Sequence, residues 1–217
     1  MFIINYKNYD EIAGKKAVKL AQIAAKVARK YRIKIAVAPP HHLLGSINHS
    51  VLLLAQHVDN AKIGSTTGFV VPELLKKSGV DGSLINHSEH RIPQGDIIEL
   101  VGRLKNLKMM SVVCVKDVSE AARYAKLNPT YIAIEPPELI GTGKAVSTER
   151  PELITKAAHA VKAAKNSTKL LCGAGIVTGD DVRRAMELGS SGILVASGIV
   201  KAKNWNKTIE EFAKGML

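Results

Sequence analysis

Three side chains with chemically useful groups lie at or just past the ends of apolar runs in the sequence: Lys7, His87 and Glu135. A carboxylate at the end of a buried strand can accept a proton as a general base. A neutral imidazole can donate a hydrogen bond to a carbonyl oxygen without becoming a cation, and a lysine supplies a positive charge. Taken singly, each has an ordinary explanation as a solvated charge or a structural histidine. Their positions in the fold must therefore decide between the two interpretations.

Glu135 lies in the stretch AIEPPELIGTG. Pro136 holds the residue before it extended, so Glu135 continues the strand direction and its side chain projects with little freedom. Further along, Gly141 and Gly143 supply flexible backbone and bare N–H groups. A stiff entry followed by flexible glycines is typical of a moving lid, although such residues also occur in ordinary tight turns. The sequence indicates no role for Glu138.

His87 is followed by Ser88 and Glu89, which together predict the start of a helix. A helix N-terminus carries a partial positive charge, and this would favour the neutral form of the His87 imidazole. The remaining histidines and the two cysteines show no convincing spacing for metal ligands. We therefore predict a site with no metal.

The chain contains eight apolar runs. Each run is continuous, as expected for strands that are covered on both faces. The runs are residues 2–5, 34–38, 51–56, 82–86, 110–115, 131–135, 169–173 and 192–196. Helical patterns lie between most of them. In the clearest, residues 15–31, apolar residues recur every three or four positions and lysines occupy other positions.

This alternation predicts an α/β fold with a parallel sheet, and eight units is the number that closes a (β/α)8 barrel. An open doubly wound sheet is the alternative, but no glycine-rich nucleotide-binding motif follows the first strand. No linker or low-complexity segment divides the chain, so we predict a single domain over residues 1–217 with abbreviated helices. Chemistry in such a barrel collects at the carboxyl ends of the strands, which is where Lys7, His87 and Glu135 lie.

Two loops of small residues follow the last two strands. Strand seven ends in CGAG, which contains Gly175, and strand eight ends in VASG, which contains Ala196 and Ser197. Small residues let backbone amides approach an anion closely, and the loops after strands seven and eight form the usual phosphate site of these barrels. Either loop alone is weak evidence, but the pair predicts a phosphorylated small-molecule ligand.

The formal net charge is +12, from 31 Lys and Arg against 19 Asp and Glu. The lysines are spread along helical segments and only 4% of residues are aromatic, so we expect a solvated basic surface and no nucleic-acid partner. No apolar run approaches the roughly 18 residues of a membrane span, and the N-terminus lacks signal-peptide features. We expect no membrane association, a cytoplasmic location, and Cys114 and Cys172 as buried free thiols.

Together these motifs resemble those of the triosephosphate isomerase family, in its shorter archaeal-type branch, over essentially the whole chain. They are Asn5-x-Lys7, INHSEHR at residues 85–91, AIEPPELIGTG at residues 133–143, and the two small-residue loops. The resemblance implies a TIM barrel isomerase of glycolysis and gluconeogenesis. Such an enzyme interconverts dihydroxyacetone phosphate and D-glyceraldehyde 3-phosphate through an enediol or enediolate, without a cofactor.

The resemblance also implies a role for each residue. Glu135 is expected to be the base, His87 the neutral electrophile that polarises the carbonyl, and Lys7 a stabiliser of negative charge. Glu89 is expected to pair with Lys7, with Ser88 as a second supporting residue. The implied substrate-binding residues are Asn5, Lys7, Ile140, Gly141, Gly175, Ala196 and Ser197.

The loop GSTTGF, residues 64–69, resembles one that members of this family insert into a neighbouring subunit. We therefore expect a homodimer or a homotetramer with this loop at the interface. Two other functions stay open. One is another phosphate-binding barrel, such as a pentulose-phosphate epimerase or a relative of indole-glycerol-phosphate synthase. The other, more remote, is a basic nucleic-acid-binding protein, which would give Glu135 no role.

Overall fold

The eight predicted strands form and close into one parallel barrel. The computed structural model of the chain describes residues 1–47, 50–136, 138 and 145–217. Each strand pairs with the next in chain order, and the first pairs with the last. The predicted (β/α)8 TIM barrel is thus confirmed. The strands are β1 (Phe2–Asn5), β2 (Ile35–Ala38), β3 (Leu52–Ala55), β4 (Gly82–Ile85), β5 (Met110–Val115), β6 (Tyr131–Ile134), β7 (Lys169–Cys172) and β8 (Ile193–Val195).

Helices surround the barrel, but the wall they form is thin in places. Among the described residues between β2 and β3, the only helix is a 3-10 helix, His41–Ser46, and an α-helix of 8 residues joins β5 to β6. None of the described helices combines the length and apolar character that a membrane span requires. The described α-helices are α1 (Lys15–Tyr31), α2 (Pro72–Lys77), α3 (Gln94–Asn106), α4 (Val118–Ala125), α5 (Val146–Glu149), α6 (Pro151–Ala163), α7 (Gly179–Glu187), α8 (Ser197–Val200) and α9 (Trp205–Gly215).

The strands are mostly apolar because both of their faces are covered. Successive side chains of a strand point to opposite faces. Ile3, Leu84 and Val112 belong to one apolar cluster, which fills the inside of the barrel. Phe2 and Ile4 belong to a second apolar cluster, which lies between the barrel and its helices. This arrangement explains the continuous apolar runs, and a single domain over residues 1–217 stays a prediction.

Cys114 and Cys172 are free and buried, as predicted. Burial raises the pKa of the Cys114 thiol well above its usual value, and the nearby Glu135 carboxylate adds to that effect. Burial also raises the pKa of Cys172 to about 12. Both thiols are therefore held in the protonated, unreactive form.

The predicted start of a helix at Ser88 and Glu89 is wrong. The chain instead forms a turn after β4, in which Asn86 adopts the left-handed φ of 62°. Helix α3 begins only at Gln94. His87 therefore lies in a turn, and its protonation does not depend on a helix N-terminus.

Replacing Leu84 by alanine tests how strongly the barrel interior stabilises the strand that leads to His87. Leu84 is fully buried, so Leu84→Ala should lower the free energy of unfolding by about 2–5 kcal/mol, through lost burial and the cavity left behind. Urea unfolding followed by circular dichroism measures the change. Leu74 on α2 is 46% exposed, and Leu74→Ala, the control, should change it by less than about 0.5 kcal/mol. Equal losses for the two variants would contradict the expectation.

Candidate active site

The loops after β1, β4 and β6 bring Lys7, His87 and Glu135 together at one rim of the barrel. Glu135 continues β6, because its backbone N–H donates to Val115 O at 2.9 Å. Nε2 of His87 lies 3.6 Å from Oε2 of Glu135. Lys7 lines both the cavity that contains His87 and the one that contains Glu135. Three residues that are far apart in the sequence thus share one small region of the molecule.

The carboxylate of Glu135 and the imidazole of His87 face each other inside the protein. Glu135 is 4% exposed and His87 is 6% exposed. Their separation of 3.6 Å is too long for a hydrogen bond. Among the described residues, neither Oε2 of Glu135 nor Nε2 of His87 has a hydrogen-bond partner. Buried polar atoms without partners are rare in native proteins, and two that face the same space are expected where a polar ligand binds.

Two opposing influences act on the protonation of His87. Burial tends to lower the pKa of this imidazole, but the charges of Glu135 and Glu89 outweigh burial and raise its pKa above the usual value. The backbone N–H of Glu89 acts in the other direction, since it donates to Nδ1 of His87 at 3.2 Å. A nitrogen that accepts a hydrogen bond carries no proton. This bond therefore selects the neutral ring, with its proton on Nε2 and directed toward Glu135.

A strained turn positions Lys7. Its φ of 46° lies in the left-handed region, which is uncommon for residues other than glycine. Asn5 Oδ1 accepts from the backbone N–H of Lys7 at 3.0 Å, and Gln56 Nε2 donates to Lys7 O at 3.0 Å. The ammonium group donates to Glu89 Oε1 at 2.7 Å. Both the backbone and the charged end of Lys7 are thus held, and the expected pairing with Glu89 is present.

Gln56 and Gly173 contribute to the geometry in ways that the sequence did not indicate. Gln56 directly follows β3. Its position just past the end of a strand is the signal in the sequence that could have marked it as a site residue. Gly173 directly follows β7, and a Cβ atom at this position would lie 2.4 Å from Cγ of Glu135. Only glycine therefore leaves room for the Glu135 side chain.

The small-residue loops after β7 and β8 enclose a narrow cavity of about 40 Å³ beside Glu135. Gly175 has a left-handed φ of 69°, and the short helix α8 begins at Ser197. Ile140 and Gly141 lie outside the described residues. A larger cavity of about 870 Å³ opens from Lys7 and His87 toward the loops after β2 and β3. The predicted residues that line the smaller cavity are Lys7, Glu135, Gly175, Ala196 and Ser197.

Ser88 is the second predicted supporting residue. Its hydroxyl oxygen is buried and has no hydrogen-bond partner among the residues that the structure describes. Within the same part of the chain, no three His, Cys, Asp or Glu side chains are grouped so that they could hold a metal ion. A reaction without metal or cofactor stays a prediction.

Comparison with known proteins agrees with this geometry. The family model described as triosephosphate isomerase matches residues 1–212. The chain belongs to the triosephosphate isomerase family. A curated relative named triosephosphate isomerase, from Cenarchaeum symbiosum, is 58% identical over 217 residues, which cover 100% of this chain and 97% of the relative. Relatives of the same name from Caldivirga maquilingensis and Methanocaldococcus jannaschii are 46% and 44% identical, and cover 100% and 99% of this chain and 97% and 99% of their own lengths.

Membership of the triosephosphate isomerase family confirms the resemblance that the motifs indicated. It also favours the isomerase over the two alternative functions. The family model and these relatives are all named triosephosphate isomerase, and none is named as another phosphate-binding barrel or as a nucleic-acid-binding protein. The roles of individual residues stay predictions. What the structure adds is that Asn5, Lys7, His87 and Glu135 lie at one rim.

Replacing Gly173 by alanine tests whether this glycine sets the position of Glu135. The new Cβ would lie 2.4 Å from Cγ of Glu135, so we expect the Glu135 side chain to move by about 1 Å to restore an ordinary carbon–carbon contact. Crystal structures of the variant and the parent measure the shift. Gly102 on α3 is the control, because a Cβ atom there meets nothing within 4 Å. An unmoved Glu135 in Gly173→Ala would contradict this account.

Proposed function

We propose that this chain interconverts dihydroxyacetone phosphate and D-glyceraldehyde 3-phosphate by proton transfer. The observation that carries the proposal is the buried pair of Glu135 and His87, whose Oε2 and Nε2 atoms lie 3.6 Å apart without other partners among the described residues. A base and a hydrogen-bond donor that face one small space are the parts needed to move a proton next to a carbonyl group. Family membership supports the same reaction.

In the proposed mechanism Glu135 accepts a proton from C1 of dihydroxyacetone phosphate. The electrons of that C–H bond form the C1–C2 double bond, and the carbonyl electrons move to O2, which becomes an enediolate oxygen. His87 donates from Nε2 to O2, and a proton then passes from O1 to His87. Glu135 returns its proton to C2, and the carbonyl re-forms at C1. Atoms and electrons balance without an oxidant or reductant.

Lys7 supplies the positive charge of the proposed site. Its ammonium group is 2.7 Å from Glu89, which holds it at the rim, and charge that develops on the enediolate oxygens is stabilised by such a fixed cation. The phosphate group is expected to lie against Gly175, Ala196 and Ser197, where small residues leave backbone N–H groups accessible. The contribution of Ile140 and Gly141 stays a prediction.

The base assignment is tested by Glu135→Gln, which keeps the size of the side chain and removes its basicity. We expect kcat to fall at least about 100-fold. A coupled assay of triose phosphate interconversion, run with a chelator and without added metal, measures the rate. Glu187→Gln, at an exposed position of α7, is the matched control and should keep the parent rate. An inactive parent protein would end the proposed function, and a Glu135→Gln variant within tenfold of the parent would end the base assignment.

Self-association is also part of the proposal. Ile63 and Phe69 are 55% and 56% exposed, and they flank and end the loop expected at the interface. Exposed apolar side chains in a segment expected at an interface are suited to burial against a partner subunit. The two buried thiols fit a reducing compartment, and the cytoplasmic location stays a prediction.

Replacing Ile63 and Phe69 together by serine should weaken the proposed interface. We expect the parent to sediment as a dimer or larger species and the double variant as a smaller species, because the variant lacks apolar surface to bury. Sedimentation velocity measures the difference. Leu217→Ser is the control, since Leu217 is 81% exposed at the other end of the chain. A monomeric parent would contradict the proposed assembly.

A further inference from the structure

His57 and His90 stack on one another next to the proposed site. Their ring centroids are 3.9 Å apart, and the ring planes differ by 13°. His57 lies on the loop after β3 and is 8% exposed, whereas His90 lies on the loop after β4 and is exposed. Both line the cavity of about 870 Å³ that Lys7 and His87 also line. The stack thus connects two neighbouring loops of the barrel rim.

Each of these loops supports one residue of the proposed site. His57 directly follows Gln56, whose amide donates to Lys7 O at 3.0 Å. On the other loop, the backbone N–H of His90 donates to His87 O at 2.8 Å. The backbone that carries each ring is therefore connected to the backbone of Lys7 or of His87.

Charged and titratable groups face the stack from the loops after β1 to β4. Oδ1 of Asp59 lies 3.1 Å from Nε2 of His57, and Nε2 of His41 lies 2.9 Å from His57 O. Burial lowers the pKa of His57, the neighbouring His90 and His41 add to this, and Asp59 opposes it. The other groups of this kind that line the cavity are Lys7, Tyr9, His42, His87 and Glu89.

Two imidazoles stack stably when no more than one of them is charged. If both are protonated, two like charges lie about 4 Å apart in a partly buried place, where the repulsion is only weakly screened. Separation of the rings relieves that repulsion. Protonation of both rings requires acid, because burial and the neighbouring imidazoles hold the pKa of His57 below its usual value. The stack is therefore stable at neutral pH and is opposed in acid.

We propose that His57 and His90 are positioning residues whose stack keeps Lys7 and His87 in place, and that opening of the stack in acid slows the reaction. This inference rests on the proposed isomerase function and extends it. The pair acts through Gln56 on Lys7 and through the turn after β4 on His87. Small displacements of reacting groups slow an enzyme strongly. Opening of the stack should therefore lower kcat/KM at low pH.

The test is the pH profile of His90→Phe. Phenylalanine keeps a ring over His57 but carries no charge, and its face attracts a protonated imidazole. We expect kcat/KM of the parent to fall between about pH 7.5 and about pH 5 by a factor at least about fivefold larger than that of His90→Phe. The phosphate of the substrate titrates equally in both assays, so the difference between the profiles reports on the enzyme.

His159→Phe provides the matched control, since His159 is exposed on α6 and receives the same substitution. It should keep the pH profile of the parent. Parallel pH profiles for the parent and His90→Phe would overturn the inference. A change in the profile of His159→Phe as large as that of His90→Phe would also overturn it.

A second measurement does not depend on activity. Proton NMR of the histidine Cε1–H groups follows the titration of His57, and we expect its pKa to rise in His90→Phe because a positive neighbour has been removed. In the parent, the backbone amide signals of Lys7 and His87 should move with the same midpoint as the ring of His57. An inactive parent at neutral pH would reject the isomerase function alone, whereas amide signals that ignore the ring titration would reject the stack as a positioning element even in an active enzyme.

Discussion

The carboxylate of Glu135 is almost completely buried, and the surrounding structure is built around that constraint. Removing an ionised carboxylate from water costs several kcal/mol unless other groups compensate. Backbone hydrogen bonds on both sides fix the residue: its own N–H donates to Val115 O, and the N–H of Gly173 donates to Ile134 O. Gly173 also leaves the space that the side chain fills. The strands on either side of β6 thus determine where the proposed base lies, and the imidazole of His87 is the polar group that it faces.

The positive side of the site is fixed differently. Lys7 is held by a network of polar contacts from three loops, and the residues that supply them are Asn5, Gln56 and Glu89. Its left-handed backbone conformation costs free energy for a residue such as lysine. These contacts must therefore compensate for that cost. The proposed base is thus fixed by backbone hydrogen bonds and packing, whereas the cation is fixed by polar side chains, one of which, Glu89, is itself charged.

The strands and long helices could be predicted because local patterns determine them. Continuous apolar runs become strands when both faces are covered, and the amphipathic repeat of α1 is long enough to be read directly. The six-residue helix α2 is too short for such a period. The helix expected at Ser88 failed because Asn86 turns the chain at positive φ and because Pro93 precedes the true helix start. Proline is well suited to the beginning of a helix, and that signal outweighed the Ser-Glu pair.

The residues at strand ends could also be predicted, since barrel topology alone brings those ends together. The contacts between them could not, because the Gln56 bond to Lys7 spans 49 positions and the stack of His57 on His90 depends on side-chain conformation. The same holds for Glu138, for which the sequence indicated no role. Its carboxylate accepts from Arg150 Nη1 at 2.5 Å, and both side chains are about half exposed. Exposed ion pairs contribute only about 0–1 kcal/mol. The pair therefore connects Glu138 to Arg150, the residue before α6, and contributes little to stability.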